Sequence, residues 1–94
     1  MDPEYIVFVM PPRGVDAEPF DIPEWEYDDA MATAGRYRER GWHACIIDYG
    51  TPFVLWRATH RSGFTANILA RTCDEACIRA RAVDEGYDSF QRED

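Results

Sequence analysis

The sequence predicts a two-layer α+β sandwich in the order β-α-β-β-β-α, with both helices on one face of a four-stranded, largely antiparallel sheet. Three observations carry this expectation. Glu4–Met10 (EYIVFVM) is apolar at every second position on both sides and stops at Pro11-Pro12, as a central strand would. Two later stretches place apolar residues at helical spacing behind capping signals. Between them lie three short apolar runs separated by turn residues. At 94 residues the chain is expected to form one domain, 1–94.

After the first strand, residues 12–23 hold Gly14, Pro19 and the acids Asp16, Glu18 and Asp21 without periodicity, which predicts an exposed acidic loop. Asp21-Ile22-Pro23-Glu24 has capping-box spacing, so a helix is expected to begin between Asp21 and Asp28 and to end at Gly41. Tyr27, Ala30, Met31, Ala34 and Tyr37 form its expected core face. Carboxylates crowd its start and Arg36, Arg38 and Arg40 its end, which complements the helix dipole. Strands are expected at 42–49, 53–59 and 64–69, joined as a meander through Tyr49-Gly50-Thr51-Pro52 and His60-Arg61-Ser62-Gly63. Thr72-Cys73-Asp74-Glu75 repeats the capping-box spacing and opens a second helix, with Cys73, Ala76, Cys77, Ala80, Val83 and Tyr87 on the core stripe and Gly86 as its end. The polar tail 88–94 is expected to fray, and no internal repeat is evident.

Charge is sorted along the chain. Residues 1–30 hold nine carboxylates (Asp2, Glu4, Asp16, Glu18, Asp21, Glu24, Glu26, Asp28 and Asp29) against Arg13 alone, within a net charge of −8. All ten basic residues are arginine. Such a layout bears on partner choice and association rate. An acidic surface of this kind is also what a high-salt host would select, with no partner involved.

The residues capable of chemistry form no recognisable constellation. His43 and Cys45 share one face of a predicted strand, where an imidazole could activate a thiol, yet side chains two apart stand about 6.5 to 7 Å from each other. Cys73 and Cys77 lie four apart on a helix, a spacing that suits core packing better than a zinc knuckle. Ser62 and Ser89 lack a nucleophile-elbow context, and the six glycines have no phosphate-cradle spacing. No catalytic residue, metal or cofactor is therefore expected. Three cysteines, an odd number, and no secretory leader predict a reduced, cytoplasmic protein, and no apolar run is long enough to span a bilayer.

What remains is recognition. Asp16, Glu18, Asp21, Glu24, Glu26, Asp28 and Asp29, with Trp25 as an aromatic anchor, are expected to dock on a protein partner that presents a basic surface, the acids standing in for phosphates. Direct nucleic-acid binding is disfavoured by the net charge of −8. It remains the second hypothesis, through Arg36, Arg38, Arg40, Arg57 and Arg61, with Trp25, Trp42, Tyr49, Phe53 and Trp56 as aromatics for an uncovered sheet face. Thiol chemistry at Cys45 is the third. In size, charge and lack of a catalytic signature the chain resembles the small acidic inhibitors that phages and mobile elements direct at host nucleases, the anti-CRISPR and anti-restriction proteins. The resemblance is compositional and assigns no residue a role. Neither the partner nor the oligomeric state is legible in the sequence.

Overall fold

The computed structural model describes residues 1–93. They form two compact units, 1–51 and 52–93, each built as strand, strand, helix, strand. The first contains β1 (Tyr5–Met10), β2 (Phe20–Glu24), α1 (Tyr27–Glu39) and β3 (His43–Asp48). The second contains β4 (Val54–His60), β5 (Thr65–Ala70), α2 (Cys73–Val83) and β6 (Tyr87–Arg92).

The expected single four-stranded sheet is thus replaced by two three-stranded antiparallel sheets, ordered β2-β1-β3 and β5-β4-β6. In each, the first strand of the unit lies in the middle. The turn residues at Tyr49–Pro52 do not close a hairpin, because β3 pairs with β1 while β4 pairs with β5 and β6. The tail expected to fray supplies β6, so its polar residues belong to a half-solvated strand.

In the first unit, Val7 faces Ile22 and Ile46 across the ladders, and Val9 faces Phe20 and Ala44. Strand periodicity of two sends these side chains to the side where α1 lies. Ala30 and Ala34, both fully buried, bring the helix close against Val7 and Val9. The expected core face of α1 is corrected here. Thr33 is buried with the alanines, whereas Tyr27 and Met31 are 51% and 54% exposed. The helix begins at Tyr27; the apparent capping box at Asp21–Glu24 is the edge strand β2 instead. Pro23 is tolerated there because an edge strand has one row of backbone groups outside the ladder. The helix ends as its sequence predicts. Gly41 adopts φ +85, Gly41 N–H bonds the Arg38 carbonyl and Trp42 N–H bonds the Tyr37 carbonyl, both at 3.0 Å. This is a Schellman closure, and its accompanying apolar contact is the edge-on pair Tyr37–Trp42, with ring centroids 5.4 Å apart. Phe20 joins both rings.

In the second unit Ala58, Ala80 and Tyr87 are buried, with Ala66, Ile68 and Phe90 packed against them. Alanine permits close approach but buries little apolar surface, and polar networks reinforce this core. Thr72 Oγ1 caps α2 by accepting from Glu75 N–H at 3.2 Å. Glu75 is fully buried where Cys73 was expected, and Cys73 and Val83 are exposed.

The absence of an internal repeat is also corrected. Beyond their shared topology, both units carry Asp-acid-Ala-x-x-x-Ala at the start of the helix (Asp28–Ala34 and Asp74–Ala80) and a glycine–aromatic pair entering the last strand (Gly41-Trp42 and Gly86-Tyr87). The repeat is one of spacing, with few identities elsewhere to reveal it.

Candidate protein-docking site

The two units divide the charge unequally. Residues 1–51 hold eleven carboxylates against four arginines, and residues 52–94 hold seven against six, so the first unit carries nearly all of the excess. Within it, Glu26, Asp28 and Asp29 gather at the head of α1, where four backbone N–H groups lack helical partners and the dipole favours negative charge. All three are exposed, and none enters an ion pair among the described residues.

The remaining predicted contacts distribute differently. Asp16 and Glu18 are exposed on the β1–β2 connection. Asp21, paired with Phe8, points away from α1, because its neighbour Ile22 packs on the helix side. Glu24 is half-buried and accepts from Thr33 Oγ1 at 3.3 Å. Trp25 is 46% exposed, its indole Nε1–H donating to the Met1 carbonyl at 3.0 Å. The head of α1 is therefore the concentrated part of the predicted surface.

The second unit supplies an internal comparison. At the N-cap of α2 stands Thr72, whose hydroxyl makes the cap; at the same position of α1 stands Glu26, whose side chain makes none. Asp29 is matched by Glu75, which is neutralised internally. Arg71 gives Glu75 its backbone N–H at 3.0 Å, Nε at 2.8 Å and a terminal nitrogen at 3.2 Å, while Arg79 Nε donates at 2.8 Å. Burial alone would raise the Glu75 carboxyl; these bonds outweigh it and hold the group below the usual carboxylate range. Asp74, the counterpart of Asp28, is exposed as well, so the two helix heads differ at Glu26 and Asp29, where the second unit has a hydroxyl cap and a shielded acid and does without an exposed carboxylate.

The arginines, by contrast, mostly have partners within the chain, although Arg36, Arg38, Arg40 and Arg57 remain exposed. Arg38 donates Nε and a terminal nitrogen to the Ala44 carbonyl at 3.2 and 2.8 Å, Arg36 bonds Thr33 Oγ1 at 3.1 Å, and Arg40 lies over the Tyr37 ring at 5.5 Å. Arg57 pairs with Glu93, Arg81 Nε bonds the Tyr87 carbonyl, and Arg71 covers the Phe53 ring. Four of the five arginines of the nucleic-acid hypothesis thus have structural work. Trp42, one of its aromatics, is packed with Tyr37 and Phe20 on the helix side of its sheet.

Cys45 is buried opposite Phe8 on β3, with His43 exposed two residues before it. Cys73 is exposed, but partial burial, Asp74 and Cys77 push its thiol up, away from the reactive thiolate. Among the described residues no group of three or more His, Cys, Asp or Glu side chains could hold a metal ion, and no helix is long and apolar enough to cross a membrane.

Sequence periodicity missed the outward position of Tyr27 and Met31. The signal that could have found it is the repeat itself, which aligns these positions with Cys73 and Cys77 and the buried pair with Ala76 and Ala80. No protein-family model, curated protein or solved structure matches this chain.

Proposed function

We propose that the protein is a non-enzymatic binding module that docks its acidic first unit on a basic protein surface, one that otherwise holds nucleic acid, as inhibitors of nucleases do. The observation that carries this reading is the head of α1. Three exposed carboxylates without counter-ions stand there, while the sister helix builds the same turn with a hydroxyl cap, an internally neutralised acid and a single exposed one, Asp74. Carboxylates free of internal partners remain available to incoming guanidinium and ammonium groups, and they steer association at long range. Arg36, Arg38, Arg40 and Arg57, although exposed, already have partners within the chain, and the net charge of −8 opposes approach to phosphates.

The test is capture of partners from lysate by the intact chain and by E26R/D28R, each at low and high salt, followed by association kinetics with any captured protein. The charge-reversed variant should lose capture and show a slower, less salt-dependent on-rate. Equal capture and equal kinetics would remove the reading, and a gel shift of single-stranded DNA or RNA by the wild type would replace it with direct nucleic-acid binding.

A further inference from the structure

The carboxylates at the head of α1 are interleaved with large apolar groups. Trp25 and Tyr27 flank Glu26 in sequence and are 46% and 51% exposed; Met31, 54% exposed, lies four residues beyond Tyr27. Residues four apart on a helix are surface neighbours, so Tyr27 and Met31 form one outward strip. Both rings are held before any partner arrives. The Trp25 indole is tied to the Met1 carbonyl, and the Tyr27 ring meets Tyr5 edge-on with centroids 5.5 Å apart. Aromatic groups already fixed in place lose little freedom on association, and Trp and Tyr are the residues most often found at the energetic centre of interfaces. The module does not need them at these positions. Their counterparts in the second unit are the buried Arg71 and the small residues Cys73 and Cys77.

Charge selects the occupant. A symmetric contact with a second copy would set Glu26 and Asp28 against like charges, and nucleic acid would be repelled by the same groups. A surface combining positive charge with apolar side chains meets neither penalty. Resting on the function proposed above, we infer that Trp25, Tyr27 and Met31 are the apolar centre of the docking surface and that Glu26, Asp28 and Asp29 are its charged rim. The partner is a basic amphipathic protein segment, an apolar ridge flanked by arginine or lysine. Charge governs the rate of encounter, and the ridge governs residence.

Two peptides of equal positive charge test this against the isotopically labelled full chain by NMR: a helical peptide with a leucine ridge flanked by arginines, and an arginine–serine peptide with no apolar residue. The first should move the Trp25 indole N–H and the amides of 27–31, and should bind at least about tenfold more tightly than the second. Met31→Ala removes an exposed group and leaves the core intact; it should weaken the first peptide about three- to tenfold and leave the second unchanged. Equal affinity for both peptides, or a Met31→Ala variant that binds both as the wild type does, overturns the apolar centre while leaving the acidic docking surface standing. Shifts confined to residues outside 24–35 also overturn it. Failure of both peptides to bind removes this inference together with the reading it rests on.

Discussion

A β-carbon placed on Gly86 would collide with Nε2 of His60. The imidazole sits against the glycine because it ties two turns of the second unit together. His60 Nδ1 accepts from Ser62 N–H at 3.0 Å, which assigns the ring hydrogen to Nε2, and Nε2 donates to Asp84 Oδ1 at 3.1 Å. The same Oδ1 accepts from Gly86 N–H at 2.8 Å. Phe64 stacks on the ring with centroids 4.2 Å apart, and Tyr87 meets it edge-on at 5.3 Å.

Gly86→Ala should therefore destabilise the protein by about 1 to 3 kcal/mol, the usual cost of overpacking a closed site. Backbone strain is not the cause, since Gly86 lies outside the left-handed region. The cost should shrink in a His60→Ala background, where the colliding ring is gone, and urea midpoints of the four proteins measure that coupling. An undiminished cost in the double variant would show that the imidazole is not the obstacle.

Glu75 is the most consequential carboxylate for folding. Replacing it with glutamine removes the buried negative charge that accepts three hydrogen bonds from Arg71, itself only 6% exposed, and one from Arg79, at a cost of about 3 to 5 kcal/mol. Chemical denaturation of Glu75→Gln at neutral pH reads that loss directly, and a wild-type midpoint would refute the pairing.

The same bonds set an acid limit. Glu75 is held below its ordinary range in the folded chain, and the Gly86 N–H and His60 Nε2–H hold Asp84 low as well. In each case the unfolded chain binds the proton more readily, so their contribution is complete above the ordinary carboxylate range and is lost as pH falls through the lowered folded values. Wild-type stability should decline steadily on acidification below about pH 4, and Glu75→Gln should decline less over the same interval. Parallel curves for the two proteins would contradict the assignment.

The fold was legible wherever a residue's local role decided its place. Gly41 ends α1, Thr72 caps α2 and Tyr5–Met10 forms a central strand, because φ, hydroxyl geometry and uninterrupted apolarity act within a few residues. Pairing partners were not legible. Tyr49–Pro52 has the composition of a hairpin turn, and only the non-local ladders reveal that β3 and β4 belong to different sheets. Helix faces failed for a related reason. With Ala30 and Ala34 filling the inward side, Tyr27 and Met31 could not follow them in, although periodicity counts all four as apolar. The acidic positions were readable as acids, but their availability depended on where ten arginines point, which no spacing rule supplies.

Exposure and reactivity part company at Cys73. With its thiol pushed up by partial burial and by Asp74 and Cys77, it should react with iodoacetamide more slowly at neutral pH than a free cysteine, and accelerate as pH rises. Cys45, 5% exposed, should be protected until the chain unfolds. Rapid labelling of Cys45 in the native state, followed by mass spectrometry, would instead favour thiol chemistry on β3.

Glu26 provides the sharpest separation of function from folding. A glutamate at the N-cap satisfies none of the free N–H groups of α1, whereas Thr72 does so in α2. Glu26→Thr should therefore add about 1 kcal/mol through a new cap, offset in part by up to about 0.5 kcal/mol from the lost dipole interaction. The urea midpoint should rise. Binding should move the other way, because a rim carboxylate disappears: association with a basic partner should slow and its salt dependence should flatten. A residue that lowers stability while raising association rate is one retained for recognition, so a variant that is both more stable and equally fast to bind would deny Glu26 that role.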